Sequence, residues 1–535
     1  MPHPDASLGP RSRVSLWALS LSVLAGVLLA ACLAWPVALP LALSSLGPRL
    51  GQPLWWGALL AVALLAWLQA VCTSWRMAAL CGWLFATAHL AFTFGWLFTS
   101  MHTYGGLPAP LAVLAVLALA GFLALYYAAA GAAYWVLAPT HPAMSALVFA
   151  ATWLLAELAR GTWLTGFGWG GVGYALVDGP FRPLIPWLGV YGTGAVAAAV
   201  AALVAMTTVA VRWCIAWRCP SDIPYSAILA LLAIPVILWL MNMVPLPTGG
   251  SSGPISVTLL QGNIAQSDKF DNSTGVPVAL RYYGEQLNAG QSSLIVTPET
   301  ALPQLPLHLP AGYLQALQQR FGQGTQAALV GIPLGGASEG YTNSIMGIKP
   351  GMARPWHYHK HHLVPFGEFT PPLFKWFTRL MNIPLGDFDR GGLAQPTFDW
   401  QGQRLAATIC YENLFGEEIA AGFADPHSAP TILVNISNLG WFGDHLAMDQ
   451  HLQITRMRAL EFDRPFLLST NTGHTAIVDH LGQVTYAAPP HTQYALTGQV
   501  TGRTGLTPFA KWVAHYGLWP LWLLAIAVLL TARNA

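Results

Sequence analysis

A chain of 535 residues that is 54% hydrophobic and 9% charged, with 23 tryptophans, departs from soluble proteins, where roughly a quarter of residues are charged. Its net charge of +2, with no cluster of lysine or arginine, gives no footing for a nucleic-acid partner. Residues 1–250 hold no lysine (Lys269 is the first), so the composition reads as a membrane-embedded first half and a water-facing second half.

In chain order, the apolar run Val14–Ala34 follows Arg11 and Arg13 and is long enough to span a bilayer. Further spans are expected over residues 54–72, 76–100, 108–137, 142–160, 185–213, 224–245 and 515–532, about eight in all. The implied organisation is a transmembrane domain over 1–247 with about seven helices, a catalytic domain over 248–510 and a C-terminal transmembrane helix over 511–535. Arg11, Arg13, Arg76, Arg212, Arg218 and Arg533 would fall on one side, and Arg49, Arg160 and Arg182 on the other. The bias puts the N-terminus inside and residues 250–510 outside, on the periplasmic face of a bacterial inner membrane. Glu157 and Arg160 lie near a span end and the other spans are almost free of charge, which argues against a transporter.

The loop from Gly161 to Pro186 interleaves glycine with aromatic residues, Trp169 among them. It reads either as an interfacial aromatic belt or as backbone that lines a binding site. Pro245 to Pro254 reads as a linker. Beyond it, strands are expected at Ile255–Gln261, Leu294–Thr297, Ala327–Pro333, Asn343–Ile348, Leu405–Ile409, Thr431–Ile436, Phe466–Ser469 and Thr475–Val478. Helices over Ala311–Phe321 and His445–Asp463 alternate with them, which indicates a layered α/β domain.

Cys410 is the only cysteine in the polar half, so no disulfide closes within that domain, and no Cys-x-x-Cys pair exists. It stands where an apolar strand turns toward a helix, a place from which a sulfur can reach a substrate carbonyl. The thiolate is the nucleophile, and a free thiol has a pKa of about 8.5, so a base is needed. Glu299 closes a buried strand and can supply that base. Lys360 can hold a developing oxyanion. His357, His359, His361 and His362 surround the lysine and could mimic a metal site, but the lysine motif already explains the segment.

Three stretches carry a resemblance: Val296-Thr297-Pro298-Glu299, the run from His359-Lys360 to Gly367-Glu368, and Ile409-Cys410-Tyr411-Glu412. They resemble the glutamate–lysine–cysteine signatures of the nitrilase superfamily. With the membrane half, the run Thr165-Gly166-Phe167 through Gly173-Tyr174, Gln261–Ile264, Trp441-Phe442-Gly443 and Met457–Glu461, the chain resembles the apolipoprotein N-acyltransferase family over nearly its whole length. The resemblance implies a polytopic α-helical membrane domain joined to an α-β-β-α sandwich. It also implies catalysis by Glu299, Lys360 and Cys410, with Glu368 and Glu412 in support. The acyl donor would be a phospholipid, phosphatidylethanolamine, and the acceptor a diacylglyceryl apolipoprotein. Transfer would run through a Cys410 thioester with ping-pong kinetics in a monomeric enzyme, without metal or nucleotide cofactor. A membrane-tethered amidase that hydrolyses its thioester with water is the alternative.

Phe270, Gly168 and Leu439 depart from the family pattern and bear on the shape of the lipid pocket. Tyr411, Trp169 and Trp441 are further candidates for substrate contact. So is the apolar, aromatic and basic stretch Pro371–Met381, with Phe374, Trp376 and Phe377, which reads as an arm that dips into the leaflet.

Overall fold

The computed structural model describes residues 16–38, 47–217, 224–246, 248–336, 338–370, 388–444 and 446–533. The chain forms two compact units. One holds Met1–Gly95, Val113–Pro245 and Leu518–Ala535, and the other Trp96–Ala112 with Leu246–Gly517.

The first unit is helical. Leu16–Leu33, Trp55–Ala70, Trp75–Thr93, Pro142–Thr162, Ile185–Trp217, Tyr225–Met241 and Trp519–Arg533 coincide with seven of the apolar runs, and Ala109–Leu137 with the eighth. By length and apolarity four helices among the described residues can cross a membrane, or up to six if each bent pair is one span. Helices Trp55–Ala70 and Tyr225–Met241 are shorter, so the expected count of about eight is not reached on this measure. Large apolar side chains such as Leu114, Phe122, Leu229 and Leu232 are exposed along these helices, as a lipid-facing surface requires. Small residues let helices approach: a Cβ on Gly26 would meet the Phe85 carbonyl oxygen of the facing helix.

The span expected over 76–100 breaks. Helix Trp75–Thr93 ends, and after a break a separate segment, Leu97–Tyr104, follows with a π-turn over Ser100–Tyr104. The reason is tertiary. The Trp96 indole donates to Gln450 Oε1 at 3.1 Å and its ring meets Phe442 edge-on, while Tyr104 meets Trp441. Residues 96–112 thus belong to the second unit.

That second unit contains two six-stranded sheets. The first runs β12 (Tyr494–Gly505), β1 (Thr248–Gln261), β2 (Leu294–Val296), β3 (Ala327–Gly336), β4 (Gly340–Ile348) and β5 (Trp356–His359). The second runs β11 (Val484–Ala487), β10 (Ala476–Val478), β9 (Phe466–Thr470), β8 (Ile432–Ser437), β7 (Gln403–Ile409) and β6 (Phe398–Trp400). Strands β1, β2 and β3 are parallel at the centre of one sheet, and β7, β8 and β9 at the centre of the other.

The strand period of two decides the layers. Val257, Leu259, Leu294, Val296 and Leu329 face inward and pack on Leu405, Ile409, Val434, Ile436 and Leu467 of the other sheet. Leu260, Ile295, Ala328 and Val330 face outward and are covered by helices Gly275–Ala289 and Tyr313–Gly322 through Leu280, Tyr283, Leu317 and Phe321. Leu433, Phe466 and Val478 are covered by helices Leu446–Phe462 and Pro508–Tyr516 through Ala459, Phe462, Phe509 and Val513. This is the expected α-β-β-α sandwich.

The expected linker is corrected over its second half. Residues from Thr248 onward are strand, because β12 runs beside them from Thr248↔Gly505 to Gln261↔Tyr494, with two register shifts absorbed by the glycine–serine run.

Candidate active site

Glu299 leaves β2 by a buried route. The Thr297 N–H still bonds the Leu329 carbonyl at 2.9 Å, Pro298 ends the ladder, and Thr300 turns the chain at φ +47°. Glu299 is 8% exposed. Oε1 accepts from Asn343 Nδ2 at 2.7 Å and lies 3.6 Å from Lys360 Nζ, while Oε2 accepts from the Asn438 N–H at 2.9 Å.

Lys360 follows β5, its N–H bonded to the Asn343 carbonyl at 2.8 Å. Its ammonium sits between two carboxylates: Glu368 Oε2 at 2.9 Å, and Glu299. Burial disfavours the charge, but Glu368 and then Glu299 outweigh it, so the Lys360 pKa is raised and the group stays an ammonium. Glu368 is fixed in turn by Asn343 Nδ2 at 2.7 Å and by the Val364 N–H at 2.9 Å. One amide therefore bridges both carboxylates of the lysine.

Cys410 opens a 3₁₀ turn, Cys410–Leu414, at the end of β7. Its φ of +53° is unusual for a side chain with a Cβ, and such strain persists only when its surroundings hold it. Asn435 Nδ2 donates to the Cys410 carbonyl at 3.1 Å, and His451 Nε2 lies 3.4 Å from it. Burial pushes the thiol up to about 12, as does the Glu299 charge; Lys360 and the Asn438 N–H pull the other way. The sulfur thus rests protonated within the field of a carboxylate and an ammonium.

Glu412 does not join that group. Its Oε1 accepts from the His361 N–H at 2.6 Å and the His362 N–H at 3.0 Å, and its Oε2 from the Ile409 N–H at 2.6 Å. The Tyr358 hydroxyl donates to it at 3.0 Å. It staples the lysine segment to the cysteine turn. Burial pushes it up to about 7, against Lys360 and the backbone N–H groups that favour its anion.

Tyr411 is buried against His362 and Phe415. Trp441 packs on Tyr104. Trp169 belongs to the first unit, where it is buried and its carbonyl accepts from Arg160 at 2.7 Å. Phe374, Trp376 and Phe377 lie outside the described residues. Three of the four histidines have separate partners: His359 with Ser344, His361 with the Gly391 carbonyl, and His362 with Glu418.

Asn343, Asn438 and Lys269 were not singled out from the sequence. Asn343 and Asn438 act through an amide and a main-chain N–H on partners far along the chain, which no local spacing reveals. The Asn438 side chain is itself clamped between Gln266 Oε1 at 2.7 Å and Asn471 Nδ2 at 3.2 Å. Lys269 gave no signal, because it lies in the polar run from Gln266 to Ser273 and looks like an ordinary surface lysine.

Residues 25–203 match the apolipoprotein N-acyltransferase N-terminal domain, and residues 256–508 match the carbon-nitrogen hydrolase family. An apolipoprotein N-acyltransferase of Verminephrobacter eiseniae is 52% identical over 94% of both chains. The chain belongs to the apolipoprotein N-acyltransferase family. A second member, from Ralstonia nicotianae, is 41% identical over 85% of this chain and 86% of its own. Among solved structures, the nitrilase-superfamily protein Nit3 of Saccharomyces cerevisiae is 15% identical, covering 46% of this chain and 90% of its own with a TM-score of 0.34. Membership agrees with the apolar helices in making this a bacterial membrane acyltransferase of lipoprotein maturation.

Proposed function

We propose that the protein moves a fatty acyl chain from a membrane phospholipid to the α-amine of the diacylglyceryl-cysteine at an apolipoprotein N-terminus. Glu299 takes the Cys410 proton, and the sulfur attacks the ester carbonyl. Lys360 Nζ stabilises the oxyanion. The tetrahedral centre collapses, the C–O bond breaks, and the lysophospholipid alkoxide leaves with the proton held by Glu299. The acceptor amine then attacks the thioester carbonyl, Glu299 takes the amine proton, and the proton returns to the departing Cys410 sulfur. Two substrates use one nucleophile in turn, so the kinetics are ping-pong. Glu368 keeps Lys360 charged, and Glu412 keeps the two segments in register.

The observation that carries this reading is the meeting of three distant segments. Glu299 lies 3.6 Å from Lys360, and both charges act on the Cys410 thiol. Phosphatidylethanolamine as donor, a monomeric enzyme, and a catalytic unit on the periplasmic side of the inner membrane complete the proposal. The arginine bias supports that orientation.

The test is intact-protein mass spectrometry with labelled phosphatidylethanolamine. One acyl mass should appear on the wild type and not on Cys410→Ala, and a diacylglyceryl peptide should chase it off as acylated peptide. Release as free fatty acid at the same rate without the peptide would instead mark a hydrolase.

A further inference from the structure

Lys269 is a buried lysine that the reaction above does not use. It is 2% exposed. It sits in a turn held by its own N–H on the Ala265 carbonyl at 3.0 Å. Its Nζ donates at 2.9 Å to the main-chain carbonyl of Glu299, the residue that leaves β2 just before the left-handed Thr300. An ammonium is a costly group to bury, and one without an acid partner more so. Its neighbours are therefore informative. The charged and titratable groups that act on it from other elements are Glu299, from the turn after β2, and Cys410, from the turn after β7. On its own turn, Asp268 and Asp271 are exposed.

The charges of the site show what is missing. Glu299 and Glu368 contribute two negative charges, and Lys360 alone answers them. The thiol is neutral at rest, so the group carries one net negative charge without Lys269 and none with it. When the Cys410 proton moves to Glu299 and the sulfur attacks, the negative charge passes to sulfur and then to the oxyanion. The total is unchanged, and a second buried cation favours each of those states over their escape to solvent.

We propose that Lys269 is a positioning residue for acyl transfer, anchoring the main chain of Glu299 and serving as the internal countercharge of the site. The assignment rests on the reading of Glu299, Lys360 and Cys410 given above. Burial pushes Lys269 down to about 7, with Glu299 and Cys410 opposing. Its charge is therefore lost as pH rises through neutrality, and thioester formation slows on that side.

The experiment uses the full-length protein in phosphatidylethanolamine vesicles. Quenched-flow mass spectrometry reads the rate of Cys410 acylation between about pH 5 and about pH 9, roughly two pH units either side of that titration. In the wild type the rate falls on the alkaline side. Lys269→Met acylates at least about tenfold more slowly at the acid end, as loss of one charge-assisted interaction implies, and has no alkaline fall. Lys269→Arg keeps its charge throughout, so its alkaline fall also disappears while most of the acid-end rate remains. Thermal unfolding of each variant separates misfolding from a kinetic effect.

A folded Lys269→Met with the wild-type rate and profile overturns the proposal. So do two folded variants that are slow but keep the wild-type shape, because a purely structural lysine would behave that way. Failure of the wild type itself to form a thioester would instead remove the proposed chemistry.

Discussion

Each unit buries a cation against carboxylate, and the two use it differently. In the helical unit Arg160 pairs with Glu157 at 3.3 Å, and Tyr127 donates to the same carboxylate. Arg160 Nη1 donates to the carbonyls of Phe167 at 2.6 Å and Trp169 at 2.7 Å, Nη2 also to that of Gly168 at 3.5 Å, and Nε to the Tyr127 hydroxyl at 3.1 Å. They hold a loop that turns through left-handed Leu164, Thr165, Gly166 and Gly170. In the catalytic unit Lys360 meets Glu368 at 2.9 Å and Glu299 at 3.6 Å, with a thiol in their field. The planar fork of arginine suits many fixed acceptors, whereas a lysine is a point charge. The first cluster is closed on backbone. The second keeps its looser contact on Glu299, the carboxylate proposed as the base.

The sharpest way to break this comparison is to neutralise Glu299. Glu299→Gln should lower thioester formation by about 10²–10⁴-fold, the usual worth of a general base. The same change removes a negative charge that raises the Cys410 pKa, so iodoacetamide alkylation of the thiol should begin at lower pH. A variant that acylates normally would make Glu299 a structural acid like Glu157.

The counterpart is Arg160→Met, which leaves Glu157 with Tyr127 alone and takes the guanidinium from the carbonyls of Phe167, Gly168 and Trp169. Loss of one partner of a buried pair costs about 3–5 kcal/mol, read as thermal unfolding in detergent. The pH dependence of Cys410 alkylation should not change. An altered alkylation profile would mean that Arg160 has a chemical role after all.

Asn343 tests how far Glu299 and Glu368 depend on one amide. Asn343→Ala removes the donor shared by Glu299 and Glu368, each at 2.7 Å. A fall in acylation of about 10- to 100-fold follows from losing hydrogen bonds to charged groups. An unchanged rate would show that Lys360 alone holds the pair.

The smallest effect is a pH effect on the resting wild type. Folded Cys410 is raised to about 12, so at pH 8 it is a thiol and its alkylation rate should still climb above about pH 10. The unfolded thiol ionises nearer 9 and the folded one later, so the folded state binds more protons between these values. The Cys410 contribution to stability is therefore lost as pH rises from about 9 toward 12. An alkylation plateau near pH 7 would overturn this picture.

Much was legible from local pattern alone. Apolar runs marked the helices, since a lipid-facing surface leaves little choice of side chain. Alternation over Ile255–Leu259 marked one strand, and the continuous apolar run Leu294–Val296 marked another buried on both faces. The Glu299, Lys360 and Cys410 motifs each read as a strand end, the usual place for a site in an α/β domain, although the structure draws them from two different sheets. What pattern could not supply was the set of residues that hold these three side chains in place. Asn343 and Asn438 look like any polar residue in a strand or loop, and their meaning comes from partners such as Glu368, Glu299 and Gln266 that only folding brings near. Glu412 was legible as a neighbour of Cys410, but its use as a staple to His361 and His362 was not.

The amino-acid order by itself thus determined which segments form apolar helices and which form strands, because these depend on composition and short periods, and it offered Glu299, Lys360 and Cys410 as candidates for the chemistry. Tertiary structure alone decided that the third span breaks at Trp96, that the glycine–serine stretch at Thr248–Gly253 becomes strand, and that Lys269 lies behind Glu299. Each of those follows from a contact across a long stretch of chain, which local propensity cannot encode.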